Sequence, residues 1–297
     1  MATKNIIATS LPAYVEQNRL PLLHEAVLGA KTATLINRQS GIKGDAALNI
    51  VTTDPKLQDG STCTWNAQGD ATLSQRVIST KPVEVMMEFC DKNLLGKWAE
   101  YQVRLVAGER SLPFEEDFTN DITKKVAKQV ESIIWNGNAD LNIKGLLEFA
   151  GEVAENTITI AAGTTAYDAI KQVYMAIPAA VLDRAKIFVG EDMYREFIQG
   201  MVEKNYYHYV PSDHPDASEF KFPGTNVTVV AVNGLNGTKK IVAADPENLF
   251  YGYDVENADQ SFDLWYSKDD KVFKLDILFN MGTQIAFPNE VILGKLA

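Results

Sequence analysis

SLPFEEDFTNDITKKVAKQVESIIWNGN, residues 111–138, carries the strongest helix signal in the chain. Ser111 is the expected N-cap, Pro113 falls in the first turn where a missing N–H costs nothing, and Glu115, Glu116 and Asp117 complement the positive end of the helix dipole. Phe118, Ile122, Val126, Val130 and then Ile133 or Ile134 recur every three or four residues, one apolar stripe opposite a lysine-rich face. Asn136-Gly137-Asn138 ends the run, glycine being suited to the left-handed residue that follows a helix. About fifteen to twenty residues of helix span on the order of 25–30 Å, enough to serve as a spine.

Upstream of the spine, residues 45–88 read as an extended β-hairpin. One arm, Ala46 to Thr53, puts Leu48 and Ile50 on one side. The returning arm sets Val83, Val85, Met87 and Phe89 on one face, with Glu84 and Glu88 on the other. Between them lie about twenty residues of turn chemistry, with Asp54-Pro55, Asp59-Gly60, Asn66 and Gln68-Gly69-Asp70. The distal part has too few apolar residues to bury itself, and an insertion of this length in a compact domain is usually functional. It reads either as a floppy surface flap or as an arm that becomes ordered on a neighbouring subunit. Before it, residues 1–44 hold a helix opened by Pro21, with Leu22, Leu23, Ala26, Val27 and Ala30 at helical spacing. Asn5 to Asn18 has apolar residues without a steady period and reads as an arm lying against something else.

Downstream the pattern changes to alternating strands and helices, which predicts an α/β layer. Thr157 to Ala161 is a strand, and Thr164 or Thr165 caps a helix carrying Ala169, Ile170, Val173 and Ile177. Lys186 to Val189 is an apolar strand, and Glu191 to Glu203 a helix with Met193, Phe197 and Met201 inward. Val227 to Val232 and Lys240 to Ala244 are further strands. A hairpin follows, with Phe262, Leu264 and Tyr266 alternating on one arm, Ser267 to Asp270 turning, and Phe273, Leu275, Ile277 and Phe279 on the other. The end, FPNEVILGKL, returns as a buried strand.

Composition excludes several classes. With 46% hydrophobic and 23% charged residues over 297 positions, the chain is an ordinary globular one that needs no staples to fold. A net charge of -11 leaves no basic stripe, and the densest basic group, Lys124, Lys125 and Lys128, sits beside Glu115, Glu116, Asp117 and Asp121 as a mixed-charge helix face. Cys63 and Cys90 alone make no disulfide framework. The N-terminus lacks the continuous apolar stretch of a signal peptide, and no run approaches the ~20 apolar residues of a membrane helix.

Catalysis requires convergent groups, and the sequence offers few. Of three histidines, His24 lies in the first helix, while His208, Asp213, His214 and Asp216 fall close together in a proline-bearing loop. Such a set could ligate zinc, but its spacing matches no helical metal motif, and a solvated loop is the better reading. NGLNG, Asn233 to Gly237, follows a strand without the Lys-Ser or Lys-Thr of a phosphate loop and reads as a tight turn. The pairs Glu115/Glu116 and Asp269/Asp270 already have structural reasons, at a cap and a turn. No catalytic, cofactor-binding or metal residue is assigned, and the protein is not expected to be an enzyme.

The order of elements, with particular residues, is similar to the Hong Kong 97-type major capsid protein of tailed bacteriophages. The densest match is Glu131 to Asn138 (ESIIWNGN) followed by Ile143-Lys144-Gly145-Leu146-Leu147; a second is Asn248-Leu249-Phe250-Tyr251-Gly252 with the run from Phe279 through Phe287-Pro288. The resemblance implies an α+β fold: an N-terminal arm (1–44), an extended β-hairpin loop (45–88), a peripheral domain with a long spine helix (89–139 and 258–286), and an axial α/β domain (140–257 and 287–297). It further implies hexamers and pentamers forming an icosahedral head that encloses double-stranded DNA without sequence-specific binding. Portal and scaffolding proteins would be partners, and no membrane is involved. The protein would reside in the virion after assembly in the host bacterial cytoplasm. An encapsulin, a nanocompartment shell of the same fold, is the runner-up, and a metal-dependent hydrolase using the His208 to Asp216 loop is a third reading.

Two departures from the family pattern bear on the expectations. Some such shells are crosslinked between a loop lysine and an asparagine of the peripheral hairpin; Lys56 is a loop lysine, but no asparagine lies between Ala258 and Phe279, and Asn280 comes at the strand's end. No isopeptide crosslink is expected. The chain also lacks a long helical N-terminal extension serving as a built-in scaffold, so either a separate scaffold protein exists or the sequence has been trimmed, Met1 at the start favouring the former.

Overall fold

The computed structural model describes residues 2–58, 61, 68–90, 92, 96–97, 99–100, 114–204, 219–222, 224–255 and 261–297. In chain order it opens with helices α1 (Ala2–Gln17), α2 (Arg19–Leu28) and α3 (Lys31–Leu35), then strands β1 (Asn37–Gln39), β2 (Asp45–Asp54), β3 (Asp70–Ser79) and β4 (Lys81–Cys90). The spine is α4 (Phe114–Asn136), followed by α5 (Leu146–Ala150), β5 (Thr157–Ile160), α6 (Ala166–Ala176), β6 (Lys186–Val189) and α7 (Glu191–Glu203). The remainder is β7 (Glu219–Lys221), β8 (Thr228–Ala231), β9 (Lys240–Ala244), β10 (Leu249–Asp254), β11 (Ser261–Ser267), β12 (Val272–Ile285) and β13 (Ile292–Leu296).

The spine forms as its pattern dictates. Ile122, Val126, Val130 and Ile134 are buried at successive turns, packed in one core with Phe273, Leu275, Ile277 and Phe279 of β12. Acidic residues occupy its first turn, and Gly137 ends it at φ +73°. The expected cap and first-turn proline, Ser111 and Pro113, lie outside the described residues. The sheet under the spine has β12 at its centre, flanked by β10 and β11 on one side and β4 on the other, with β1 parallel to β10.

The second sheet runs β5-β13-β9-β6-β8-β7. Alternation in its strands divides the core. Phe188, Val230 and Val242 face the spine's core. Their neighbours Ile187, Val189, Val229 and Ile241 lie under α6 and α7, with Ala169, Ile170, Val173 and Phe197. Thr165 caps α6, its hydroxyl accepting the Asp168 N–H (3.3 Å). The C-terminal strand β13 is inserted between β5 and β9, parallel to the first and antiparallel to the second.

Three expectations need correction. The arm that returns against β2 is β3, from Asp45↔Ser79 to Asp54↔Asp70, not Val83 to Phe89. β4 instead pairs with β12, from Lys81↔Met281 to Cys90↔Val272. The alternation of Val83, Val85 and Phe89 is that of a strand with one face on the spine's core, so it belongs to the large sheet, and the hairpin is confined to residues 45–79. Second, the aperiodic arm Asn5 to Asn18 is mostly helix α1; it packs against β11 through Leu11 and Val15, with Pro12 inside the helix. Its sequence carries no steady apolar period that would mark the helix. Third, β12 continues to Ile285, so Asn280 is not at a strand end but mid-strand, buried and opposite Asp254.

Candidate assembly surface

The hairpin β2–β3 is anchored at one end and unsupported at the other. Leu48 and Ile78 are buried with Ile42 against half-buried Phe250. Two polar side chains clamp this base: Gln284 Nε2 donates to the Val77 carbonyl (2.7 Å), and Arg76 Nη2 donates to Gln284 Oε1 (3.1 Å) and to Glu152 Oε2 (2.8 Å). On the opposite face of the ribbon, cross-strand partners are Ala47/Val77, Asn49/Gln75 and Val51/Leu73. Gln75 donates to Asn49 (2.8 Å), while Val51 and Leu73 are 57% and 79% exposed. Farther out, Asp54 faces Asp70 across the strands, a like-charge pair that gains nothing from its own hairpin. A two-stranded ribbon is marginal in water by itself, and both outer edges offer unpaired backbone groups. This surface can add strands, bury an apolar pair and accept cations.

A second exposed surface is the outer side of the large sheet. Met86 is 72% exposed on β4, between Glu84 and Glu88 and opposite Asp276 of β12. Asp276 in turn faces Asp263 of β11, which Arg19 approaches at 3.6 Å.

The ESIIWNGN motif forms the junction of three elements rather than a site of chemistry. Glu131 is 2% exposed; its carboxylate accepts the Thr32 N–H (2.8 Å) and the Thr32 hydroxyl (2.5 Å), and that hydroxyl accepts from Trp135 Nε1 (2.6 Å). Burial pushes the Glu131 carboxyl above the ordinary glutamate range, against the lowering effect of bonds from Thr32 and the Gly234 backbone. Asn136 Nδ2 donates to the Gly234 carbonyl (2.8 Å), tying the spine's end to the 233–235 turn, where NGLNG indeed forms a short 3₁₀ turn. Gly137 and Gly145 pass backbone to backbone: a Cβ on Gly145 would overlap the Gly137 nitrogen.

Among the described residues, the candidate catalytic residues are not brought together. His24 is half-buried on α2, and Glu115 accepts a hydrogen bond from Ser10 (2.8 Å). Asp270 accepts from Lys274 (2.6 Å) and Ser267 (3.0 Å) in the β11–β12 turn, and Lys274 holds its carboxyl below the usual carboxylate range. His208, Asp213, His214 and Asp216 lie outside the described residues. Sequence reasoning misses the inner half of the surface: β3 is so polar that its strand character is hidden, and only its register against β2 exposes Leu73 as Val51's partner.

No family model matches the sequence, and no curated protein matches it. Solved structures do. A chain of the satellite phage P4 procapsid that includes the size determination (Sid) protein superposes with a TM-score of 0.63 at 13% identity, covering 93% of this chain and 90% of that one. A structure of Gordonia phage Cozz gives 0.59 at 14% identity, over 90% and 86% of the two chains. The capsid of a native GTA particle gives 0.56 at 12% identity, over 92% and 90%. Sequence identity this low speaks only to architecture, but the likeness runs nearly from end to end in each case. The protein shares its fold with chains of phage procapsid and capsid structures.

Proposed function

We propose that the protein is a coat subunit of the Hong Kong 97 type, assembling into hexamers and pentamers of an icosahedral phage head around double-stranded DNA. The observation that carries this reading is the β2–β3 hairpin, clamped at its base by Gln284 and Arg76 yet leaving Val51 and Leu73 exposed beyond it. Apolar surface on a ribbon that cannot bury itself is stabilised by a neighbouring copy, and closed symmetry supplies such a neighbour to every subunit. Shell building rather than catalysis also suits a chain whose distinctive residues are contact surfaces.

The proposed division keeps residues 1–44 as the arm, 140–257 with 287–297 as the axial domain, and the spine with 258–286 as the peripheral domain. On this reading the extended loop would end near residue 79, since β4 pairs with β12 in the large sheet. The virion is the proposed location, after assembly in the bacterial cytoplasm, with portal and scaffolding proteins as partners. Negative-stain electron microscopy of the protein, expressed alone and with its neighbouring genes, tests this. Closed shells or hexameric and pentameric rings are expected. A monomer or dimer that never assembles overturns the proposal, and shells that carry a protein cargo in place of DNA make it an encapsulin.

A further inference from the structure

The solvent face of α4 changes character along its length. Asp117 and Asp121 mark its first half, whereas from Lys124 to Asn136 the exposed positions are Lys124, Lys125, Lys128, Gln129, Ser132 and Asn136, without an acid. Lys125 is engaged by Asp121 (2.6 Å). Lys124 and Lys128, one turn apart, form no ion pair among the described residues. With Lys31, Glu25 and Asn233 they line a cleft of about 450 Å³ between α4, the α2–α3 junction and the 233–235 turn. Glu131 at its floor has its carboxylate committed to Thr32.

The opposite side of the same layer has the opposite sign. The spine packs on one face of the large sheet, so side chains that alternate away from it point to the other side. Those are Glu84, Glu88, Asp263 and Asp276; among the described residues the cations beside them, Arg19 and Lys274, are engaged by Asp263 (3.6 Å) and Asp270 (2.6 Å). A layer this polarised has one face suited to a polyanion and one that repels it.

Resting on the capsid reading, we infer that the Lys31/Lys124/Lys128 cleft faces the inside of the shell and binds the phosphate backbone of the enclosed DNA without reading its sequence. Backbone contacts require cations and hydrogen-bond donors, which the lysines, Asn233 and the neighbouring Gln129 and Ser132 supply. An acidic protein segment would be anchored by aromatic or aliphatic side chains in pockets, and the apolar lining here is only Gly29, Ala30 and Ala127. The acidic outer face would then look away from the DNA.

The test is binding of the purified subunit to a short labelled duplex, followed by fluorescence anisotropy across a salt series. Removing one lysine–phosphate interaction lowers the slope of log K against log salt by about 0.9, so K124Q/K128Q is expected to lower it by about 1.8, and K128Q alone by about 0.9. K171Q/K268Q, removing two exposed lysines elsewhere, is expected to leave it unchanged. Absence of wild-type binding at about 50 mM salt overturns the inference, as does an equal loss in K171Q/K268Q. Displacement of the duplex by polyglutamate at matched charge overturns it in favour of an acidic protein partner. Microscopy of the same preparations separates the two readings: shells with any of these adverse results sink the DNA contact alone, whereas a wild-type protein that never assembles sinks the capsid reading beneath it.

Discussion

The carboxylate of Glu131, on the spine, accepts both the backbone N–H and the hydroxyl of Thr32, at the start of α3 ninety-nine residues earlier in the chain. The same hydroxyl receives the indole N–H of Trp135, so one buried acid organises three polar groups where arm, spine and the 233–235 turn meet. Glu131→Ala leaves these donors without their acceptor and opens a cavity, and is expected to cost about 2–4 kcal/mol in urea unfolding of the dissociated subunit. Glu131→Gln keeps one acceptor and offers a donor to the Thr32 hydroxyl, and should cost less than half as much. Equal losses for the two would show that the carboxylate's bonds contribute little.

The same residue predicts a pH dependence. Its folded-state carboxyl titrates above the ordinary range because burial disfavours the charge. The folded state therefore binds the proton more tightly than the unfolded one. The stability this group adds is fully present below the ordinary glutamate value and is lost as pH rises through its raised value. Wild type should lose stability relative to Glu131→Gln as pH climbs from the ordinary glutamate range through the raised value, and the two curves should run parallel only above that raised value. Parallel curves throughout would mean that Glu131 titrates normally.

Gly137 and Gly145 separate two reasons for glycine. Gly145 has ordinary backbone angles, φ −93°, but a Cβ there would overlap the Gly137 nitrogen and the Trp135 carbonyl oxygen. Gly163 has φ +80° with open space around it. Gly163→Ala should cost about 1–2 kcal/mol from backbone strain alone. Gly145→Ala must push apart two stretches of backbone and should abolish soluble expression or lower the melting temperature far more. Comparable melting temperatures for the two variants would refute the close-approach explanation.

These residues also show what is legible in the sequence. The spine, the helices near 166 and 191, and the strands at 186, 240 and 292 can be read because each has a strong period or cap, as with Ile122, Val126 and Val130 or the Thr165 hydroxyl on Asp168. The Glu131–Thr32 bond is illegible: nothing local in ESIIWNGN indicates a partner in the arm. The pairing of β2 is easily misassigned because Val83 and Val85 alternate as a half-buried strand should, while β3, with Thr72, Ser74 and Arg76 on one face, resembles a turn. Alternation marks a strand with one buried face, not its partner. α1 escapes detection because its apolar residues follow no steady period and Pro12 sits inside it.

A crosslink would need an accessible asparagine on the peripheral hairpin. Asn280 is 9% exposed and lies mid-strand opposite Asp254, with β4 on the other side of β12. A lysine of another subunit, Lys56 included, cannot reach it without opening that sheet. Assembled shells boiled in denaturant should run on gels as monomer-sized bands, and a ladder of multiples would refute this.

The hairpin predicts a separation of stability from assembly. Leu48 and Ile78 are buried at its base, so Ile78→Ala should destabilise the isolated subunit by about 2–4 kcal/mol. Val51 and Leu73 are cross-strand partners on the other face, 57% and 79% exposed. Val51→Asp and Leu73→Asp should therefore leave the subunit's unfolding within about 0.5 kcal/mol of wild type, since surface changes away from special features are nearly neutral. In a shell the same positions would place a charge in an apolar contact without a partner, which an interface tolerates poorly. Shell yield, measured by sedimentation after co-expression with the neighbouring genes, should fall at least tenfold for Leu73→Asp. If shells form at wild-type yield, the hairpin's exposed face is not a contact between subunits, and the apolar pair has no assembly role.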